Sequence, residues 1–593
     1  MTRFILGIGI SVAFACAILP ASAQDTAIVN PAVQYQTLEG WGTSLSWFAN
    51  GVGSWPEPVR SNLIDSLFAA PPDGLGLTYA RYNIGGGDCP SCKTIPYPHD
   101  VPGYQPAANA PYDWTADASQ RWVAKRAYAD GAVFLEAQSN SAPWWMTITG
   151  SSTGGVKGVP NISGAYAGSN KGSFADYLAT VIGHFQRDYG LTFRALDPTN
   201  EPDEAWWTYQ NTKQEGCAFA PEDEQSVIKS LASLLPGQSP LTHVVGMDAY
   251  NLNHALARLA NYSSATMDAI TEVNTHTYAG NNRAELAAAT AAAGKRMVMS
   301  EWGSSDISGK DISREITRDM TNMKPVAWAI WQPDWPGLVK VDYKAHTFSK
   351  NKAYYVFANY THFIRPGYIF VAINDNNSLA AYDQRSHALT IVTTNWKSAS
   401  QSVTYQLSNF HELGTNAQGY QTSATQDLAD IGTVRISNGS FTATLPPNSV
   451  TSWVISNAVY APPAKSLNDS SFRYSGSNCG STWCSTKEKG AYRGDYHWSS
   501  QPESYYTLTF AGTQARVYGS RANDRGIASF SVDGGAETDV DLYATSRTDN
   551  ELIYATPSLL PGPHSLKVRV SGLKNANATN VIVQADRVDV VPK

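Results

Sequence analysis

The sequence predicts an α/β chain: a (β/α)8 TIM barrel with a side β-sandwich, plus a C-terminal β-sandwich. Three observations carry this. Between about residues 37 and 335, eight short apolar, β-branched runs alternate with longer amphipathic stretches. Past about residue 340 the helical periodicity fades and alternating runs take over. The ends of the eight runs are polar or aromatic, which strands built for stability alone do not need.

The elements follow in order. Arg3 precedes an apolar stretch over 4–19, and Ala21-Ser22-Ala23 supplies a small-x-small cleavage pattern before Gln24. Residues 1–23 are therefore expected to be a secretory signal peptide cut near Ala23, leaving a secreted or periplasmic protein. Cys16 belongs to that leader. No later segment offers about 20 consecutive apolar residues, so no membrane span is expected. Residues 24–36 read as a short strand suited to a sheet edge.

The eight runs lie at 38–47, 77–86, 133–141, 193–202, 241–249, 269–278, 295–303 and 325–333. Helical stretches lie at 58–68, 116–130, 174–189, 222–235, 253–259, 285–293 and 313–323. That alternation assigns 37–345 to the barrel. A doubly wound open sheet would carry a GxGxxG turn; Gly85-Gly86-Gly87-Asp88 lacks that spacing and reads as a tight turn. Residues 346–460 form the side sandwich, 461–465 a proline-marked linker, and 466–593 a further β-sandwich with a turn at Asp533-Gly534-Gly535.

Composition narrows the partners. The net charge is −7 and no run of Lys or Arg occurs, which argues against a nucleic-acid surface. Only 16% of the 593 residues are charged, beside 17 Trp and 31 Tyr, a balance suited to uncharged, hydroxyl-rich ligands. A monomer acting on a polysaccharide or oligosaccharide is expected. Beyond the leader stand Cys89, Cys92, Cys217, Cys479 and Cys484. Cys89-Pro90-Ser91-Cys92 has no second metal-binding pair and favours a structural bridge, and Cys479 and Cys484 are close enough to pair in one loop. One cysteine is left over, and the sequence does not fix the pairing.

In a (β/α)8 barrel the chemistry sits at the C-terminal strand ends. Here those ends read Arg81-Tyr82-Asn83, Gln138-Ser139-Asn140, Asn200-Glu201-Pro202, His276-Thr277-Tyr278, Glu301-Trp302-Gly303 and Trp331-Gln332. Two carry a carboxylate. Glycosidic cleavage needs one acid to protonate the leaving oxygen and one carboxylate to attack the anomeric carbon or activate water. Glu201 alone also reads as a helix cap; Glu201 with Glu301 and the intervening His-x-Tyr reads as a catalytic pair.

These motifs resemble glycoside hydrolase family 30. The matching segments are Gly40-Trp41-Gly42, Arg81-Tyr82-Asn83, Asn200-Glu201-Pro202 and Ser300-Glu301-Trp302. Asn140-Ser141-Ala142-Pro143-Trp144-Trp145, Gln214-Glu215-Gly216-Cys217 and Trp331-Gln332-Pro333 resemble its endo-β-1,6-galactanase branch. The resemblance covers about residues 30–457, including a side sandwich completed by the N-terminal strand. It implies Glu201 as acid/base, Glu301 as nucleophile, and retention through a covalent intermediate, with no cofactor or metal. The substrate it implies is the β-1,6-galactan side chains of arabinogalactan. Other β-linked glycans (xylan, β-1,6-glucan, glucosyl or fucosyl substrates) are the alternatives, and a non-catalytic carbohydrate-binding protein is a further one.

Under that assignment Asn200 is placed to bond a sugar 2-hydroxyl, and Arg81 and Tyr278 to keep Glu301 ionised. His276 contacts Glu201 or the sugar, or is a structural histidine. Trp47, Trp145 and Trp331, with Asn140, are expected to contact substrate, although such tryptophans also pack barrel rims. The C-terminal domain resembles galactose-binding-like modules over Ala515-Arg516-Val517-Tyr518-Gly519-Ser520. Trp483, Tyr492, Tyr496 and Trp498 either line a binding face there or are simply buried.

Overall fold

The computed structural model describes residues 25–592 except 93–94, 210–212, 336, 461–463, 558 and 561. The leader at 1–23 and most of the proline linker lie outside the described residues. The chain divides between Tyr460 and Ala461 into two compact units.

The first unit holds the barrel. Its eight parallel strands are Gly40–Ser44, Tyr79–Asn83, Phe134–Gln138, Ala195–Asp197, a fifth in two pieces (His243–Val244 and Gly246–Asn251), Glu272–Ala279, Arg296–Trp302 and Ala327–Ile330. Each pairs with the next, and the eighth pairs with the first. The fifth strand closes the ring: its first piece pairs with the fourth strand and its second with the sixth. Val245 bridges the break, its N–H donating to Leu196 O at 3.0 Å. Inside, Tyr79 stacks on Phe134 at 4.2 Å. Gly42 is required beside that pair, because a Cβ there would meet Tyr79 O at 2.5 Å.

A main helix follows each strand, in order Val59–Phe68, Ala118–Asp130, Phe174–His184, Pro221–Gln238, Leu252–Asn261, Arg283–Ala292, Lys310–Arg318 and Lys352–Thr361, with shorter helices at Phe48–Val52 and Ser264–Ala269. Local chemistry starts several of them. Ser173 caps the third by accepting from the Asp176 N–H. Pro221 opens the fourth, followed by Glu222, Asp223 and Glu224 at the positive end of the helix dipole. The eighth helix lies past residue 345, inside the stretch expected to begin the side sandwich. Packing explains it: Trp41 on the first strand meets Phe357 and Tyr360 edge-on and donates its indole N–H to Ile364 O at 2.7 Å. Lys352–Thr361 is thereby part of the barrel shell.

The side sandwich follows. Its strands from Ile369–Ile373 to Ser449–Ile455 are joined by Asp25–Thr37. That N-terminal strand is interior, not an edge. It pairs antiparallel with Ile369–Ile373 and parallel with Gln401–Gln406, linking the two sheets. Its Ala27 and Val29 are fully buried with Tyr405 and Trp453.

The second unit has sheets of four, five and three strands around a core that includes Phe472, Tyr506, Phe530 and Leu566. Trp483 is 1% exposed and packs against Tyr474 and Tyr506, so it is core rather than part of a binding face. Tyr496 is also buried. Cys89 pairs with Cys92 and Cys479 with Cys484, leaving Cys217 free and buried. Among the described residues no helix is long and apolar enough to cross a membrane.

Candidate active site

Glu201 and Glu301 line a cleft of ≈ 1160 Å³ together with Asn200, Tyr250, Tyr278 and five tryptophans: Trp47, Trp206, Trp207, Trp331 and Trp335. A carboxylate oxygen of each glutamate and a ring nitrogen of His276 all lie within 4.8 Å of one another.

Glu301 ends the seventh strand. Its Oε1 accepts from the Tyr278 hydroxyl at 3.1 Å and its Oε2 from Arg81 Nη1 at 3.2 Å, with His276 Nε2 at 3.7 Å. Burial outweighs the charges of His276 and Arg81 and the Tyr278 bond, so the carboxyl is held above the usual glutamate range, by less than it would be without those donors. Glu201 lies beyond the fourth strand with φ of 46°, a left-handed conformation unfavourable for a residue with a Cβ. Three bonds hold its backbone: its N–H donates to Asp248 O at 2.9 Å, and its carbonyl accepts from Trp207 Nε1 at 3.0 Å and from the Glu204 N–H at 3.2 Å. Among the described residues its carboxylate is hydrogen-bonded by one side chain, His276, whose Nδ1 is 3.0 Å from Oε1. Burial raises Glu201 to about 7 against the pull of His276.

Both ring nitrogens of His276 face carboxylate oxygens, Glu201 at Nδ1 and Asp248 Oδ1 at 3.2 Å from Nε2. Burial opposes its charge, but Glu301 and Asp248 outweigh that and raise its pKa well above the ordinary value. That favours the imidazolium, whose Nδ1–H donates to Glu201, while Nε2 stands near Asp248 as a charge contact without a hydrogen bond. Asp248, on the fifth strand, anchors the assembly. It accepts from Arg81 and from the Ser300 hydroxyl. Burial pushes its carboxyl up; Arg81, His276 and Ser300 prevail and hold it well below the usual carboxylate range. Arg81 is fully buried and spends its fork on Glu136 Oε1 at 2.9 Å, Gln138 Oε1 at 3.0 Å, Asp248 and Glu301. Glu136 in turn accepts from Tyr79 and Asn274. One hydrogen-bonded network thus spans five strands beneath the two glutamates. It leaves one carboxyl able to hold a proton near neutrality and a second surrounded by donors that favour its anion.

Of the residues expected at the site, Asn200, Tyr278, Trp47 and Trp331 line the cleft. Arg81 and His276 lie beneath it and reach the glutamates instead. Asn140 is buried and not among the lining residues, its N–H donating to Asn83 Oδ1 at 3.2 Å. Trp145 donates to Gln105 O and packs edge-on to Tyr166, also away from the cleft lining. Asp248, Glu136 and Tyr250 went unmarked in the sequence. A carboxylate inside the run 133–141, where every residue of Phe134–Gln138 proves to be buried, is the available signal for Glu136.

The family model for O-glycosyl hydrolase family 30 matches residues 24–339. The chain is 30% identical over 483 residues to an endo-beta-1,6-galactanase of Hypocrea rufa, covering 74% of this chain and 96% of that one. It is 25% identical over 566 residues to an exo-beta-1,6-galactobiohydrolase of Bifidobacterium longum subsp. longum, covering 69% of this chain but 37% of that protein's length. Among solved structures, the catalytic domain of GH30 xylanase C from Talaromyces cellulolyticus shares the fold, with a TM-score of 0.56 at 20% identity over 73% of this chain and all of that one. A closed (β/α)8 barrel, a pair of buried glutamates facing one cleft and a family match across the whole barrel strand set agree: the chain belongs to O-glycosyl hydrolase family 30 and is a glycoside hydrolase.

Proposed function

We propose that this chain hydrolyses β-1,6-linked galactan, as in arabinogalactan side chains, with retention of anomeric configuration. The observation that carries the mechanism is the carboxylate spacing. One oxygen of each of Glu201 and Glu301 lies within 4.8 Å of the other, a closeness that fits a carboxyl separation of about 5–5.5 Å, as retention needs, better than the roughly 6.5–9.5 Å that admits a water for inversion. In this reading Glu301 attacks the anomeric carbon while Glu201 passes its proton to the departing glycosidic oxygen. A glycosyl ester on Glu301 remains. Glu201, now a carboxylate, takes a proton from water, whose oxygen attacks the anomeric carbon and frees Glu301.

The linkage rests on the two curated relatives, whose names share β-1,6-galactose chemistry. Exposed Trp206 and Trp335 and stacked Tyr250 and Tyr278 suit the apolar faces of pyranose rings. We also infer action outside the cytoplasm, supported by the leader-like residues 1–23 and by the two cystine bridges.

The test incubates the protein with β-1,6-galactan, xylan and β-1,6-glucan. Galactose or galacto-oligosaccharides are expected from the first alone, appearing initially as the β-anomer by NMR. Release from xylan or glucan but not galactan would sink the substrate, and an initial α-anomer would sink the mechanism. Glu301→Gln should lower kcat on the cleaved polymer by several orders of magnitude; near wild-type turnover in a folded variant would remove Glu301 from its role.

A further inference from the structure

Beside the cleft, a second cluster brings together three metal-ligating groups that the hydrolytic reading does not use. Asp203 and Glu204 follow Glu201 in the loop after the fourth strand. His254 stands in the helix Leu252–Asn261 after the fifth. His254 Nδ1 is 3.0 Å from Asp203 Oδ2 and 3.4 Å from Glu204 Oε1. One ligand atom from each of the three lies within 4.8 Å of the others. Donors around a tetrahedral ion with bonds of about 2.0–2.1 Å are about 3.3–3.4 Å apart. Two edges of the triangle are near that length already.

A second observation points to a ligand. Glu204 is only 8% exposed, and its Oε1, the atom facing His254, is buried and makes no hydrogen bond. Asp203 Oδ1 is likewise buried without a donor. Burial, then the neighbouring Asp203, pushes the Glu204 carboxyl up. Arg258 lies close enough to act on Asp203, but it leaves both of these oxygens without a donor, and buried polar atoms without partners are costly. A divalent cation supplies both the charge and the missing bonds. One nitrogen and two carboxylate oxygens suit a transition metal better than calcium or magnesium, which favour all-oxygen sets. The half-exposed His254 side chain leaves a way in from solvent.

We propose that Asp203, Glu204 and His254 bind a divalent transition-metal ion of the zinc class. The ion ties the loop after the fourth strand to the helix after the fifth. Trp206 and Trp207 follow on that loop, with Trp206 against Tyr250 at 4.7 Å, so the tie fixes one side of the cleft. It takes no part in the bond-breaking steps.

The experiment is calorimetric titration of chelator-treated, full-length protein with Zn²⁺. It uses the wild type, His254→Ala, Asp203→Asn and Glu301→Gln, each checked for folding by circular dichroism. One site is expected in the wild type and in Glu301→Gln, with affinity at least about tenfold weaker in the other two. Zinc should raise the melting temperature of the wild type and not of His254→Ala. No binding by the wild type would overturn the proposal, as would unchanged affinity in both His254→Ala and Asp203→Asn. Loss of binding in Glu301→Gln would also overturn it, because the ion would then sit among Glu201, His276 and Glu301.

Discussion

Glu201 and Glu301 are buried to nearly the same degree, 6% and 5% exposed, yet their partners differ. Glu301 receives Arg81 and Tyr278; Glu201 receives His276 alone. The environment of Glu201 has a pH consequence. With Glu201 raised to about 7, the form that donates a proton is depleted above that pH. The expected kcat/KM on the cleaved glycan therefore falls above about pH 7 along a one-proton limb. A pH–rate profile checks this, and a flat profile to pH 9 would exclude Glu201 as the titrating donor. Asp248 touches neither solvent nor cleft, yet holds Arg81, His276, Ser300 and the Glu201 backbone. Asp248→Asn keeps the shape and removes the charge. It should lower kcat by about a hundredfold, the scale of small misplacements at a reacting centre, with little change in KM. Equal losses in affinity for substrate would show that it supports the cleft rather than the glutamates.

At the scale of elements, the N–H groups of the loop Gly85-Gly86-Gly87 after the second strand are gathered by one carboxylate, while Ser152 and Tyr177 donate to the carbonyls of Gly87 and Gly85. Glu215 accepts from the N–H groups of Gly86 at 2.7 Å and Gly87 at 3.1 Å, and from Asn83 Nδ2 at 3.1 Å. Burial raises its carboxyl to about 8 against these three donors. Glu215→Gln offers one acceptor instead of two and turns an amide N–H toward that of Asn83. Thermal unfolding above about pH 8, where Glu215 is ionised and both oxygens accept, should show a loss of about 1–3 kcal/mol, the cost of leaving a buried donor unpaired; an unchanged melting temperature there would mean that the loop holds itself. All eight barrel strands were legible from their apolar runs, and Glu201 and Glu301 from standing at two of the ends. The eighth helix was not, because Lys352–Thr361 is buried on almost every side and so shows no polar face to set a helical period. Asp248 also escaped. It stands inside the run 241–249, and nothing local in the sequence distinguishes a buried ligand of Arg81 and His276 from a polar residue near a strand end. His276 was left between three roles because its carboxylate partners come from the fourth, fifth and seventh strands, far away in sequence.

Across the whole molecule, the two units keep separate apolar cores. The first is built on the barrel and side sandwich, the second on Phe472, Trp483, Tyr506 and their neighbours. The N-terminal strand Asp25–Thr37 is spent inside the first unit, bonding strands more than 300 residues away. That unit therefore depends on residue 25 onward but takes none of its named core residues from beyond Tyr460. Every cleft-lining residue also falls before that boundary. Two consequences follow from cores that do not share side chains. Calorimetry of the full chain should resolve two unfolding transitions, since cooperativity extends only as far as a common core. A chain ending at Tyr460 should then keep one of those transitions and retain kcat/KM on soluble oligosaccharides within about twofold, because transition-state contacts set that ratio and the residues found lining the cleft belong to the first unit. A single transition in the full chain, or an inactive but folded truncation, would show that the second unit completes the enzyme. Loss confined to long polymers would instead assign the second unit a role in holding substrate, leaving hydrolysis to the barrel.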